Sequence, residues 1–141
     1  MPSPDGVSPP VPKDRRRMQR QRQRDTAPEI ALRKELWRRG LRYRLDRAPL
    51  HGLRRRADIV FGPSKVAVYV DGCFWHSCPE HGTTPKSNRR WWVAKLAANV
   101  RRDRDTDRQL AEAGWHVVRV WEHESMGHAA DRIAKVVSAR R

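Results

Sequence analysis

The sequence predicts an α/β fold in which a mixed central sheet is flanked by helices. Three short runs rich in Val and Ile, at residues 57–61, 65–71 and 115–121, read as strands, because β-branched side chains favour the pleated backbone. Gly62-Pro63-Ser64 separates the first two as a turn. A long segment of helical character, about residues 88–113, separates the last two. Strand, helix and strand in that order make a parallel crossover, expected to be right-handed.

Taken from the first residue, residues 1–13 hold five of the ten prolines and show no periodicity. Residues 14–24 are strongly basic, with Met18 as their single apolar member. Residues 1–24 are therefore expected as a disordered basic arm that could order against a polyanion. Thr26-Ala27-Pro28-Glu29 matches a capping box with Pro in the first turn, which starts a helix. Ile30, Leu32, Leu36 and Trp37 give that helix an apolar stripe, and Gly40 stops it. Residues 41–45 alternate and read as a strand, followed by the strand pair around Gly62. Residues 72–88 hold Gly, Pro, both cysteines and two histidines, and read as a loop. Gly114 ends the long helix, and a last helix is expected over about residues 125–139.

The chain has 141 residues, enough for one domain with a modest core. Apolar residues make up only 38%, while 31 Lys and Arg face 16 acids, for a net charge of +15. Such a charge repels itself in a compact state and points to a polyanionic partner. Because aromatics accompany the charge, nucleic acid is the expected partner. The plainer reading is a soluble protein whose Arg-rich composition follows a GC-rich genome. No apolar leader and no long apolar run occur, so neither a secretory signal nor a membrane span is expected. The expected place is the cytoplasm, in association with the nucleoid, and the expected state is a monomer.

Asp58 opens one strand and Asp71 closes the next. If the two strands pair around Gly62-Pro63, both carboxylates come to one edge of the sheet, where Mg²⁺ could bridge them. Such an ion polarises a phosphoryl oxygen and activates water. Taken singly, Asp58 reads equally well as a turn residue and Asp71 as a cap. An acidic pair on a hairpin resembles the nuclease core of restriction endonucleases. That pattern has a Lys two residues after the second acid, where this chain has Cys73. His76, five residues beyond Asp71, is the candidate to take the proton from water instead. It reads alternatively as a zinc ligand or a surface histidine.

Cys73, Cys78 and His81 place three zinc-type donors within nine residues. His123, just after the strand that should lie beside residues 65–71, can complete a Cys₂His₂ site; His76, His116 and His128 are the alternatives. A structural zinc would fix an irregular loop that has little else to hold it. Phe74-Trp75 adjoins the acidic edge and Trp91-Trp92 opens the long helix. Aromatic wedges unstack DNA, which costs less at a mismatch than in a perfect duplex. Core packing is the other reading of the Trp pair, and one of the two is assigned to it, since adjacent helical residues point about 100° apart. The helix then carries Lys95, Asn99, Arg101, Arg102, Asp103, Arg104 and Arg108, a face suited to phosphates or simply solvated.

Asp25-Thr26-x-x-Glu29, Ala57-Asp58-Ile59-Val60, Gly72-Cys73-Phe74-Trp75-His76, Trp92-x2-Lys95-x3-Asn99-x3-Asp103 and Gly114-Trp115-x5-Trp121-Glu122 occur in order. Together, over residues 15–124, they resemble the very short patch repair (Vsr-type) endonucleases. Gly-Cys-Phe-Trp-His followed by Cys-Pro-x-His is the specific part. The resemblance implies a restriction-endonuclease-like core over residues 25–141. It implies Mg²⁺-dependent nicking 5′ to the thymine of a T:G mismatch left by deamination of 5-methylcytosine. Asp58 would be the metal-binding aspartate, the Val70 carbonyl would contribute to the metal site, and His76 would be the general base. Glu29 and Asp103 would support them. Phe74, Trp75 and Trp92 would wedge into the duplex, Met18 would enter from the opposite groove, and Lys95 and Asn99 would contact DNA. Mismatch-repair proteins are candidate partners. Two departures stand out: Asp71 replaces a histidine of the best-known pattern, and His81 and His123 replace thiolates. A restriction-type endonuclease without a mismatch requirement and a non-enzymatic, zinc-stapled DNA-binding module are the competing readings.

Overall fold

The computed structural model describes residues 26–53, 55–73, 78 and 86–141. Met18, Phe74, Trp75, His76 and His81 lie outside the described residues. Within them the elements run helix α1 (Ala27–Arg38), strands β1 (Arg44–Arg47), β2 (Ala57–Phe61) and β3 (Val66–Asp71), helix α2 (Arg89–Glu112), strand β4 (His116–Trp121) and helix α3 (Met126–Ala139). The four strands form one sheet in the order β1-β2-β3-β4. β1 and β2 pair antiparallel, as do β2 and β3, whereas β3 and β4 pair parallel. The mixed sheet with helices and the parallel β3–α2–β4 crossover are as the sequence predicts. Among the described residues, no helix is long and apolar enough to cross a membrane.

The chain divides into two compact units. The larger holds Arg24–Asp71 and Asp105–Arg141, and with them the whole sheet. The smaller includes Gly72–Arg104.

In the larger unit, strand alternation sorts side chains to two faces. Ile59, Phe61, Val66, Val68, Val118 and Val120 meet Leu32 and Leu36 of α1 and Ala129, Ala130, Ile133 and Val137 of α3. Burying each of the larger of these side chains contributes about 1.5–3 kcal/mol, which makes this the main stabilising layer. Arg39 fastens the two helices, donating from Nε to Asp131 at 2.9 Å and from an η-nitrogen to the Gly127 carbonyl at 3.2 Å. On the opposite face, Val60, Ala67 and Tyr69 pack with Leu110 of α2.

Both α1 and α2 end in the same way. Gly40 (φ 83°) and Gly114 (φ 87°) take left-handed conformations that a Cβ would strain. Gly40 donates to Trp37 O and Leu41 to Leu36 O; Gly114 donates to Ala111 O and Trp115 to Leu110 O. These paired bonds are Schellman closures, satisfying the last carbonyls of each helix. α3 starts on Ser125, whose hydroxyl accepts from His128 N at 3.3 Å.

Several expectations change. Thr26 is the N-cap of α1, but its side chain makes no capping bond. Glu29, the other capping-box residue, is buried. The buried stripe of α1 is Glu29, Leu32 and Leu36. Trp37, expected in that stripe, is 56% exposed, with the Arg42 guanidinium 3.4 Å above its ring. The first strand begins at Arg44 rather than residue 41, because Leu41 is consumed by the Schellman closure of α1 and buried against it. β3 begins at Val66 because Lys65 (φ 53°) belongs to the turn, donating to Gly62 O at 3.1 Å.

Candidate active site

The hairpin register brings the acids together. Ile59 pairs with Val68 and Val60 with Ala67, so Asp58 stands opposite Tyr69, and Asp71, two residues on, shares that face. Across the other edge of β2, Leu45 pairs with Ile59 and Arg47 with Ala57, which sets Asp46 level with Asp58. Glu29 is buried near the start of α1. Glu29, Asp58 and Asp71 are the acids expected here from the sequence; Asp46 is an addition, whose only signal there is its position one strand earlier.

Asp58 has a strongly perturbed environment. Its Oδ2 accepts from the Val70 backbone N–H at 2.7 Å, which fixes the carboxylate against the backbone of β3. Burial pushes its pKa up from the ordinary 3.8 to about 7; the Val70 bond opposes this, and the negative charges of Glu29, Asp71 and Asp46 add to it. A carboxylate that is desolvated and ringed by other carboxylates is a place where a hard divalent cation is favoured, since the ion relieves both costs. The oxygen donors present thus fit Mg²⁺.

Asp71 sits in a different environment. Its side chain is 5% exposed, and both oxygens accept from one η-nitrogen of Arg119, at 3.1 and 3.2 Å. Arg119 in turn donates to Asp107 of α2 from Nε at 2.9 and 3.1 Å and from its other η-nitrogen at 2.7 Å. Its guanidinium carbon lies 4.4 Å from the centre of the Tyr69 ring. Sequence reasoning missed Arg119 and Asp107. The available signal was a lone Arg inside the apolar run of residues 115–121.

In the smaller unit, Cys73 and Cys78 are both buried, their thiols lie within 4.8 Å of each other, and Cys78 N donates to Cys73 O at 3.0 Å. Two thiols so placed are donors suited to zinc. His123, expected with them, belongs to the larger unit, where it is exposed just after β4. Trp92 is 2% exposed and packs with Leu96 and edge-on against Trp91, ring centres 4.8 Å apart. Of the expected wedge residues, Trp92 is therefore the one assigned to a core. Asn99, expected to contact DNA, is also buried, whereas Lys95 and Asp103 are half-buried. Arg101, Arg102 and Arg104 are exposed along α2, while Arg108 pairs with Asp105.

The raised Asp58 value has a measurable consequence. A carboxyl that binds its proton more tightly when folded than when unfolded stabilises the chain most below about pH 4, and that contribution is lost as pH rises through about 7. The metal-free protein should therefore lose thermal stability between about pH 5 and pH 8. Asp58→Asn should flatten that part of the Tm profile. An unchanged profile would show that Asp58 is not the titrating group.

Comparison with known proteins adds the chemistry. The family model described as DNA mismatch endonuclease Vsr matches residues 11–80. The chain is 48% identical, over 124 residues, to the type II nicking enzyme V.NaeI of Lentzea aerocolonigenes, covering 86% of this chain and 73% of that protein. It is 37% identical over 134 residues to the type II nicking enzyme V.NmeDIP of Neisseria meningitidis serogroup C, covering 93% and 88%. It is also 37% identical over 103 residues to the DNA mismatch endonuclease Vsr of Escherichia coli strain K12, covering 70% and 62%.

Proposed function

Because the chain belongs to the Vsr family of DNA endonucleases, we propose that it is a Mg²⁺-dependent mismatch endonuclease that nicks one strand 5′ to the thymine of a T:G pair. That it is an endodeoxyribonuclease follows from its family and its nicking-enzyme relatives. The finer reading is carried by Asp58, a half-buried carboxylate near the start of an inner strand, with three other acids raising its pKa.

The Asp58 carboxylate and the Val70 carbonyl would hold Mg²⁺. When bound, the ion polarises a phosphoryl oxygen and makes water a better nucleophile. His76 takes the proton from the attacking water as general base. Glu29 and Asp103 support the site with negative charge. Phe74 and Trp75 enter the base stack beside the mismatch, where unstacking costs least. Met18 and the basic arm around it clamp the duplex from the opposite groove. Cys73, Cys78, His81 and His123 would hold a structural zinc ion, which would fix the segment that carries Phe74, Trp75 and His76. Both residue types suit that metal, and the buried thiol pair supports the reading.

We place the chain in the cytoplasm as a monomer acting on nucleoid DNA, with mismatch-repair proteins as partners. The relatives named as nicking enzymes support cleavage of a single strand rather than the double cut of a restriction enzyme. The experiment that tests this function compares nicking of a T:G duplex with that of its T:A counterpart.

A further inference from the structure

A lone carboxylate as buried as Asp71 is costly unless a cation matches it. The fold supplies that cation from the neighbouring strand. Parallel pairing sets Arg119 level with Tyr69, two residues before Asp71 and on the same face. Asp107 lies three residues before Leu110, the α2 side chain that packs on that face of the sheet. Arg119 is therefore held from two sides. Two of its nitrogens engage Asp107 at 2.7–3.1 Å, and the third reaches both Asp71 oxygens. The Tyr69 ring lies against the guanidinium and fixes its plane.

The two central acids consequently have opposite surroundings. Asp58 has a backbone N–H and three negative neighbours. Asp71 has a guanidinium on both oxygens. A divalent ion bound by Asp71 would have to displace Arg119 or sit against its positive charge.

We propose that Arg119 is a positioning residue of this active site: a built-in cation, anchored by Asp107, that keeps the Asp71 carboxylate out of metal binding and leaves the catalytic ion to Asp58. This rests on the Mg²⁺ reading of Asp58. It assigns to Asp71, which the sequence placed among the metal ligands, the task of holding Arg119 in the sheet.

The test uses the full-length chain and two readouts. The first is Mn²⁺ binding, followed by electron paramagnetic resonance of the free ion. Asp58→Asn should weaken binding by about tenfold or more, whereas Asp71→Asn should change it by less than about threefold. A loss in Asp71→Asn equal to that in Asp58→Asn would overturn the proposal. If Asp58→Asn instead has no effect, the Asp58 metal reading itself has failed. The second readout separates the Mg²⁺ requirement of DNA nicking from its maximal rate. Arg119→Gln frees the Asp71 charge beside the site, so half-saturating Mg²⁺ should fall by about fivefold, while the rate at saturating Mg²⁺ drops. Arg119→Lys should restore the original Mg²⁺ requirement at least in part. A purely structural role would leave half-saturating Mg²⁺ unchanged in all three proteins, and that result would overturn the proposal. Arg119→Gln is also expected to lower Tm, because it strands a buried carboxylate. Asp71→Asn added to it should recover most of that loss, and a further fall would likewise count against the pairing.

Discussion

Asp58→Ala is expected to abolish Mg²⁺-dependent nicking while leaving DNA binding intact. Asp58 is the carboxylate that the β2–β3 register and the Val70 N–H fix beside Tyr69, and desolvation with three negative neighbours makes its environment favour a cation. Without it the ion loses its principal ligand, and the loss of water activation should cost about a thousandfold or more in single-turnover rate. DNA binding draws on the +15 net charge, and removing one acid does not weaken that term. The substitution should also not destabilise the metal-free chain at neutral pH, because a desolvated carboxylate among like charges is a cost to the fold. Single-turnover nicking, duplex binding and thermal melting on one preparation check all three. Retained nicking would remove Asp58 from the mechanism.

Removal of zinc is expected to be nearly as damaging. Elemental analysis should find about one zinc ion per chain. Residues 72–88 include the proposed Phe74-Trp75 wedge and the proposed base His76. If Cys73 and Cys78 hold the metal that fixes this segment, chelation should lower Tm and suppress nicking together, and added zinc should restore both. Cys78→Ser should reproduce the chelated state. A chain with well under one zinc, or one whose activity survives chelation, would exclude the metal staple.

Much of this layout could be read from the residues. The strands over residues 57–61 and 65–71 were legible because β-branched runs flank a Gly-Pro turn, and a hairpin with a fixed register then brings Asp58 and Asp71 to one edge. Gly40 and Gly114 marked helix ends because the closures there need left-handed backbone. The first strand was misplaced because an apolar Leu41 looks the same whether it starts a strand or seals a helix. Trp37 and Trp92 show the same ambiguity in opposite directions: one faces solvent under an arginine, the other is core. Periodicity alone does not say which side of a helix an aromatic will use. The Arg119 network was legible only as a lone Arg inside an apolar run, without its partners. It links a residue on β3, one on β4 and one on α2, and only the parallel register brings them together. The departure at Asp71 read as an added metal ligand when taken alone, whereas its partner in the fold is Arg119.

The central claim, that this endonuclease recognises a mismatch, is tested most directly by comparing two otherwise identical duplexes, one with a T:G pair and one with T:A, in the presence of Mg²⁺. The expected result is a single nick 5′ to the mismatched thymine, with the T:A duplex cut slower by at least about a hundredfold, the scale set by the few kcal/mol needed to unstack a perfect pair. Equal cleavage of the two duplexes would contradict the claim and leave a restriction-type endonuclease in its place.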